Sequence, residues 1–398
     1  MKTENSSEGS PMDFENWWLL AFPSFFLLGW LAAKIDVKQL MNESRKIPSS
    51  YIEGLNFLLN EEKDKAIDVL VKLSVNEPDS VELQFAVGSL FRSNGEIQKA
   101  LAVHQGLLDR PDLTNAQRSR AVLAVGEDFF KSGMYDHAED FLKRVGSGEY
   151  SPHALRLLID LYVNQNEWHR AVDVANQLQF ATGRSSSREI AHFMVEISAL
   201  HRAGGDDVKA IDWLRKALKA EPSAPRPRVM LGEILKSQGR YLEAIHEWSQ
   251  LESESVSYIG LVADALIECH DKLGTKIQCL EKFKQLAELS PNHDLLIRTF
   301  KLSVELEGQE DACDLSRNFL KRTSDLGWAI PLLDLIKNDV AEVSKADMDL
   351  LIEMATKYRQ DEGYLCDSCG FRAHAHYWRC PACRLWDTYT PASISKGV

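Results

Sequence analysis

The last part of the chain carries four cysteines in two short motifs, Cys366-x2-Cys369 and Cys380-x2-Cys383, which are separated by ten residues. A Cys-x2-Cys loop can direct both of its thiolates at one metal ion, and two such loops complete a tetrahedral all-thiolate site. The motifs lie within about 30 residues, too few to build a hydrophobic core, so a bound metal would supply the missing stability. We therefore predict one structural metal ion on these four cysteines, with zinc as the first candidate and iron as the second.

Two alternatives to a metal site remain open for these thiols, a redox-active dithiol pair and two disulfide bonds. The other cysteines of the chain lie in sequence with helical periodicity and are Cys269, Cys279 and Cys313. Unpaired cysteines of this kind are typical of small core residues in a reducing compartment. His374 and His376 lie between the two motifs, and we expect neither to bind the metal because four thiolates already complete its shell.

The motifs alone leave three uses open for this module. A nucleic-acid ribbon would need aromatic platforms and basic residues, whereas the nearby basic residues are few. Rubredoxin-like electron transfer is a second use, because four thiolates also suit iron. In the third, aromatic residues cap a small core and dock the module onto the rest of the chain. The aromatic residues concerned are Trp378, Trp386, Tyr377 and Tyr389, and the basic ones are Arg372, Arg379 and Arg384.

Between residues 50 and 325 the chain repeats itself with a period near 34 residues, which is typical of tetratricopeptide helix–turn–helix units. One marker position is occupied by Ala66, Ala100, Ala138, Ala171, Ala210, Ala244, Cys279 and Ala312. Twelve residues before the marker lie Gly54, Gly88, Gly126 and Gly232, and nine before it lie Phe57, Phe91, Phe129 and Tyr162. Twelve residues after it lie Pro78, Pro222 and Pro291.

Each recurring residue has a local physical reason. A small residue twelve positions before the marker lets the first and second helices approach closely, while the aromatic residue fills the gap between them. Proline ends the second helix because it lacks an N–H and clashes with the preceding turn. Turn sequences at Gly95, Gly133 and Gly239 lie where the first helix must end and the chain reverse. An ordinary helical bundle would not keep one register over eight units, so we predict an all-α repeat array.

The repeats carry no arrangement typical of catalysis, and we predict that the protein is not an enzyme. The histidines are dispersed and read as surface or packing residues: His104, His137, His169, His201 and His246. Stacked helix pairs leave a concave face lined by their first helices, which usually binds peptides or protein surfaces. The net charge of -13 argues against a body that wraps nucleic acid, because phosphate binding needs a basic face.

The segment from Trp17 to Ala33 has no charged residue, in contrast to the soluble character of the rest. Its 17 residues are at the short end for a helix that spans a bilayer, and Pro23 would bend it. A cleaved signal peptide would begin with basic residues, but the preceding stretch is acidic and no clear cleavage site follows. A core helix with so many aromatic residues and no polar face would be unusual. We therefore predict a retained single-pass membrane anchor.

The flanks of this segment predict its orientation. Lys2 precedes it, whereas Lys34, Lys38, Arg45 and Lys46 follow within 13 residues. The positive-inside rule then places the chain after residue 34 in the cytoplasm.

The predicted fold class is all-α, a tetratricopeptide-repeat solenoid with an N-terminal transmembrane helix and a small C-terminal four-cysteine module of the zinc-ribbon or rubredoxin type. The predicted segments are a short periplasmic tail at 1–16, the anchor at 17–34, a juxtamembrane linker at 35–49, about eight repeats at 50–328, terminal helices at 329–362 and the metal module at 363–398.

Together these parts resemble the lipopolysaccharide assembly protein B family of Gram-negative bacteria. A short membrane segment, a repeat array and a terminal YxCxxCGF…YWxCPxCRxW module occur in that order along nearly the whole chain. The residues that carry the resemblance are Tyr364, Cys366, Cys369, Gly370, Phe371, Tyr377, Trp378, Cys380, Pro381, Cys383, Arg384 and Trp386.

The resemblance implies a regulatory role rather than an enzymatic one. Members of that family lie on the cytoplasmic face of the inner membrane, with a rubredoxin-type metal site packed on the repeats. They promote degradation of the lipid A deacetylase by the membrane-bound AAA+ zinc protease, and an inner-membrane protein that senses lipopolysaccharide opposes them. The resemblance thus implies these three proteins as partners, and a scaffold for lipopolysaccharide assembly enzymes is the alternative. It implies nothing about the oligomeric state.

Overall fold

The structure is a computed structural model, which describes residues 24–30, 49–60, 62–254, 256–289, 293–323, 352, 364–373 and 375–389. The chain divides into two compact units, Met1–Val145 and Gly146–Val398, here called the N-terminal unit and the C-terminal unit. Within each unit, helices that follow one another along the chain pack in pairs. The tetratricopeptide-type helical array predicted from the period is therefore confirmed, while the predicted segment boundaries stay predictions.

The N-terminal unit contains α1 (Ser49–Leu59), α2 (Lys63–Asn76), α3 (Val81–Ser93), α4 (Ile97–Leu108), α5 (Asn115–Lys131) and α6 (Tyr135–Arg144). Its pairs are α1 with α2, α3 with α4 and α5 with α6. Helix α5 begins at a capping box, in which the Thr114 side chain accepts from the N–H of Gln117 and the Gln117 side chain accepts from the N–H of Thr114.

The C-terminal unit begins with α7 (Ser151–Asn164), α8 (Trp168–Thr182), α9 (Ser187–Ala203), α10 (Asp207–Ala220), α11 (Pro225–Ser237), α12 (Tyr241–Ser249) and the short α13 (Leu251–Glu254). A 3₁₀ turn at Val256–Tyr258 leads into α14 (Ile259–Lys272), α15 (Lys276–Leu289), α16 (His293–Leu306) and α17 (Gln309–Thr323). Strands β1 (Tyr364–Leu365) and β2 (Arg372–Ala373) form an antiparallel pair in which Tyr364 faces Ala373.

The marker position explains why the register is kept. All eight marker residues are on the second helix of a pair, and their exposed fraction is between 0% and 1%: Ala66, Ala100, Ala138, Ala171, Ala210, Ala244, Cys279 and Ala312. A larger side chain there would push the two helices apart, because interiors are close-packed. Two of the cysteines predicted to be core residues, Cys269 and Cys279, are also buried, whereas Cys313 is partly exposed.

The glycines of the first helices make room for one particular side chain of the second helix. A Cβ on Gly88 would lie 2.3 Å from Nε2 of His104, and a Cβ on Gly232 would lie 2.2 Å from Nε1 of Trp248. In the pair of α7 and α8 the corresponding positions hold Ile159 and Ala175, both buried, so the larger residue is on the first helix there. The close approach predicted at these glycines is therefore confirmed.

Chain reversals follow the predicted turn chemistry. Gly95 ends the turn after α3 with a φ of 83°, in the left-handed region that glycine adopts without a steric cost. The turn after α7 has Asn166 at this place, with a φ of 59°, and asparagine is one of the few other residues that tolerate this conformation.

Two predicted segments lie wholly or largely outside the described residues. Of the terminal helices at 329–362, only Ile352 is described. Of the anchor at 17–34, residues 24–30 are described; they are helical, and their side chains are exposed. In the described ranges no helix is long and apolar enough to cross a bilayer. The anchor and its orientation therefore stay predictions.

Candidate metal centre

The two cysteine motifs fold into knuckles with the same hydrogen-bond pattern. In the first, the N–H of Gly370 donates to the carbonyl of Cys366, and the N–H of Cys366 donates to the carbonyl of Phe371, each at 2.9 Å. In the second, Arg384 and Cys380 make the first of these bonds, and Cys380 and Leu385 make the second, again at 2.9 Å. Local sequence thus builds each knuckle independently of the other.

The knuckles bring the four sulfur atoms together. All four lie within 4.8 Å of one another, with 3.7 Å between Cys366 and Cys383 and 3.8 Å between Cys369 and Cys380. Four sulfurs at about 2.3 Å from one tetrahedral zinc ion would be about 3.8 Å apart. A disulfide would need about 2.0 Å, and these four cysteines are free.

The polar surroundings favour a thiolate at Cys380, whereas burial and the neighbouring cysteine side chains raise the pKa of the Cys369 thiol to about 11. Desolvation raises the pKa of the Cys380 thiol, but hydrogen bonds from knuckle N–H groups and from the Tyr389 hydroxyl together lower it to about 6. Each hydrogen bond donated to a cysteine sulfur stabilises the negative charge of the thiolate and so lowers the pKa of the thiol. By contrast, desolvation raises the pKa of Cys269 to about 11 and that of Cys279 to about 12. The donor set and its geometry therefore fit a structural metal, while the assignment of Cys366, Cys369, Cys380 and Cys383 as its ligands and the identity of the metal stay predictions.

The histidine between the knuckles that the structure describes serves another purpose. His376 Nε2 lies 3.0 Å from the carbonyl oxygen of Tyr389, and its ring meets Trp378 edge-on at 4.5 Å. Among the described residues the four cysteines are the group that could hold a metal ion. His374 lies outside those residues, so the expectation that it is no ligand stays a prediction.

The side of the module after Cys383 packs on the helices of the C-terminal unit. The Trp386 ring stacks on His192 of α9, with centroids 4.6 Å apart and an angle of 12° between the planes. It also meets Phe193 edge-on at 6.4 Å, and the guanidinium carbon of Arg226 on α11 lies 5.3 Å from its centroid. These residues lie on the first helices of their pairs, the helices whose face we predicted to bind partners.

Further contacts surround this stack. Trp378 stacks on Tyr258 at 5.4 Å, just before α14. Nε2–H of His192 donates to Oδ2 of Asp387 at 2.7 Å. We call Asn164, His192, Phe193, Arg226 and Tyr258 the docking face. Arg384 Nη1 donates to Oδ1 of Asn164 at 3.2 Å.

The predicted aromatic residues thus divide into separate roles. Trp378 and Trp386 pack against the docking face and are not free to stack on bases. Tyr389 is fully buried within the module, whereas 46% of Tyr377 is exposed. Of the three readings, the structure favours docking.

The residues of the docking face were not predicted from the sequence. His192 lies in an ordinary helical pattern, and Asp387 looks like one acidic residue among many. No spacing rule connects them, because they lie 195 positions apart. One indirect signal existed. So small a module cannot bury two tryptophan rings by itself, so they were expected to pack against another part of the chain.

Comparison with known proteins follows the same division of the chain. Residues 364–391 match a family model described as a rubredoxin metal binding domain, and residues 156–225 match one described as a tetratricopeptide repeat. Lipopolysaccharide assembly protein B of Escherichia coli (strain K12) is 29% identical over 385 residues, which cover 95% of this chain and 98% of the relative. The chain resembles lipopolysaccharide assembly protein B.

A second lipopolysaccharide assembly protein B, from Haemophilus influenzae, is 26% identical over 388 residues, which cover 94% of this chain and 97% of the relative. The resemblance identified from the sequence is therefore confirmed, and it includes both the repeats and the metal module.

Solved structures add little to this comparison. The crystal structure of MamA protein covers 43% of this chain and 88% of its own, with 17% identity and a TM-score of 0.33. A tetratricopeptide repeat protein from Parabacteroides merdae covers 78% of this chain and 100% of its own, with 12% identity and a TM-score of 0.34.

Proposed function

We propose that this protein is a membrane-anchored adaptor in the control of lipopolysaccharide synthesis. In this proposal it promotes proteolysis of the lipid A deacetylase by the membrane-bound AAA+ protease, from the cytoplasmic side of the inner membrane. The observation that carries the proposal is the resemblance to lipopolysaccharide assembly protein B over 95% of the chain, with array and metal module joined in one order.

The repeats give an adaptor its binding surface. Stacked helix pairs offer a long surface for protein segments, and the sequence of the predicted repeats has no residue spacing typical of catalysis. We therefore propose that the protein acts by binding and not by catalysis. An anchor at residues 17–34 would confine it beside a membrane protease and raise the effective concentration of a recruited client.

The metal module contributes a surface rather than a reaction centre in this proposal. Its two tryptophans are used to hold it on the helices, and its four sulfurs are saturated when one metal is bound. A partner that approaches this part of the C-terminal unit would therefore meet the module together with the helices around it. The lipopolysaccharide-sensing membrane protein is the proposed antagonist of such a contact.

The test is the half-life of the deacetylase in cells depleted of this protein, measured by pulse-chase. We expect a longer half-life and more lipopolysaccharide on depletion, and restoration by the full chain. A chain without residues 1–34 should fail to restore it, and Cys380→Ser should restore it poorly because the module loses its metal. A half-life that depletion leaves unchanged would contradict the adaptor proposal.

A scaffold for lipopolysaccharide assembly enzymes is the second candidate, and the word "assembly" in the names of the relatives favours it. The two candidates differ in what is recovered by crosslinking in native membranes. A scaffold should capture several enzymes of the pathway while deacetylase turnover stays constant. Capture of the protease and the deacetylase, with altered turnover, would support the adaptor.

A further inference from the structure

The segment Arg384–Asp387 takes part both in the second cysteine knuckle and in the contacts with the docking face. It starts directly after Cys383, and the N–H of Arg384 closes the second knuckle by donating to the carbonyl of Cys380. The side chains of Arg384, Trp386 and Asp387 also hold the docking face. One short segment therefore shapes the metal site and attaches the module.

The backbone of this segment is tied into both knuckles. The N–H of Asp387 donates to the carbonyl of Trp378, and the N–H of Asp367 in the first knuckle donates to the carbonyl of Thr388, both at 2.9 Å. Backbone hydrogen bonds therefore link Asp387 and the next residue, Thr388, to the parts of the chain that carry the two cysteine pairs.

Two residues of the segment adopt left-handed backbone conformations although neither is glycine. Arg384 has a φ of 62° and Asp387 a φ of 52°. Such a conformation is unfavourable for a residue other than glycine, although aspartate tolerates it better than most. Other contacts of the segment must offset this strain. A bound metal would do so through the second knuckle, and the docking face does so through His192 and Asn164.

His192 makes the closest contacts on the helix side. Its side chain is almost fully buried, Nε2–H donates to the Asp387 carboxylate at 2.7 Å, and the ring stacks on Trp386. Arg188, one helical turn earlier, lies 3.8 Å from the same carboxylate and is largely exposed. His192 thus fixes both the position and the orientation of the segment that follows Cys383.

We propose that His192 is a positioning residue for the metal site, so that docking on α9 and metal binding stabilise each other. By linkage, the factor by which docking tightens the metal equals the factor by which the metal tightens docking. A chain that loses its metal would then expose the docking face. The surface that a partner can contact would therefore differ between the metal-bound and the metal-free chain. This inference does not rest on the proposed function.

The first experiment measures how fast zinc leaves the purified full chain in the presence of excess 4-(2-pyridylazo)resorcinol. Residues outside the ligand set that orient metal ligands are typically worth about 10- to 100-fold in metal affinity. We expect His192→Ala to release zinc faster by a factor in this range. His201→Ala is the matched control, because His201 lies on the same helix and makes no hydrogen bond with the module among the described residues; its rate should stay within about twofold of the wild type.

Asp387→Asn guards against a variant that fails to fold. It keeps the size of the side chain and weakens the charge-assisted bond to His192, so zinc release should accelerate less than in His192→Ala. The double variant should release zinc no faster than His192→Ala alone, because both changes break the same link. Circular dichroism should report unchanged helix content in each. Equal release rates for His192→Ala and His201→Ala would overturn the proposal.

The reciprocal arm uses amide hydrogen exchange of the wild-type chain with and without zinc. Removal of zinc should lower protection in the first half of α9, around Arg188–Phe193, and leave the N-terminal unit unchanged. Restoring zinc alone should restore the protection. Protection of α9 that does not depend on zinc would also overturn the proposal, because linkage requires both directions. Neither readout involves deacetylase turnover, so this proposal and the adaptor proposal can fail separately.

Discussion

Two buried histidine–aspartate pairs, one in each unit, show how differently the same contact can be used. In the N-terminal unit His104 Nδ1 lies 2.5 Å from Asp128 Oδ2, and both side chains are completely buried. In the C-terminal unit His192 Nε2 lies 2.7 Å from Asp387 Oδ2. The first pair joins two helices of the array, α4 and α5, whereas the second joins the array to the metal module.

The pairs differ in what surrounds the carboxylate. Asp128 also accepts from Arg92 of α3 at 2.9 Å, and Arg92 in turn pairs with Glu127. Asp387 has the more distant Arg188 at 3.8 Å. The first carboxylate is completely buried within a repeat core. The second lies where the module contacts the helices, and 7% of its side chain is exposed. We therefore expect water to replace the second carboxylate more easily than the first.

The largest effect expected is that of Asp128→Ala on the N-terminal unit. The change leaves the buried His104 and the partly buried guanidinium of Arg92 without their shared partner, and breaking a buried charged pair costs about 3–5 kcal/mol. Urea unfolding should show this loss. The matched control is Asp140→Ala on the exposed side of α6, which should change stability by less than about 0.5 kcal/mol. Similar values for both variants would show that the pair is not part of the core.

The next effect tests how tightly His104 is held. In Gly88→Ala the new Cβ would lie 2.3 Å from His104 Nε2, so the ring must move and its bond to Asp128 is strained. We expect a loss of about 1–3 kcal/mol in the free energy of unfolding. Gly106→Ala makes the same chemical change within α4, where nothing lies within 4 Å of the new Cβ. It should stabilise the unit by about 0.5–1 kcal/mol because alanine favours helix.

A smaller effect is expected for Asp387→Ala on the helices of the C-terminal unit. The module should loosen, and water can then reach His192, so the unfolding of the helices should change by less than about 1 kcal/mol. Hydrogen exchange should locate the change at the docking face and not in α15–α17. A loss as large as that of Asp128→Ala would erase the contrast between the two pairs.

The smallest effect is a pH dependence of docking through Tyr258. Desolvation, with the nearby Asp387 carboxylate, raises the pKa of Tyr258 to about 12. The docked state therefore favours the neutral phenol of Tyr258. The contribution of Tyr258 to docking is fully present below about pH 10, the ordinary pKa of tyrosine, and is lost between about pH 10 and pH 12. Protection of α9 should fall in this window, and Tyr258→Phe should reduce the fall. If Tyr258→Phe had the same pH profile as the wild type, the loss of protection would come from other titrating groups.

Much of the array could be predicted because its determinants are close together in the sequence. Ala66, Ala100 and Ala210 mark the second helices through a spacing that each repeat encodes by itself. The same applies to each knuckle, since Cys380, Cys383 and Arg384 form their hydrogen bonds within a few residues. His104 was predicted to be a surface or packing residue; it is a packing residue, but its partner Asp128 on the next helix pair was not foreseen.

The sequence by itself determined the helical repeats, their register and the four cysteines that converge on one point. These depend on periodicity and local spacing, which act over about one repeat length. Only the tertiary structure decided that the module lies on α9 and α11, and that His192, distant in sequence, holds the segment after Cys383. That choice depends on which surfaces are complementary once the helices have stacked, and a contact between residues 195 positions apart leaves no periodic trace.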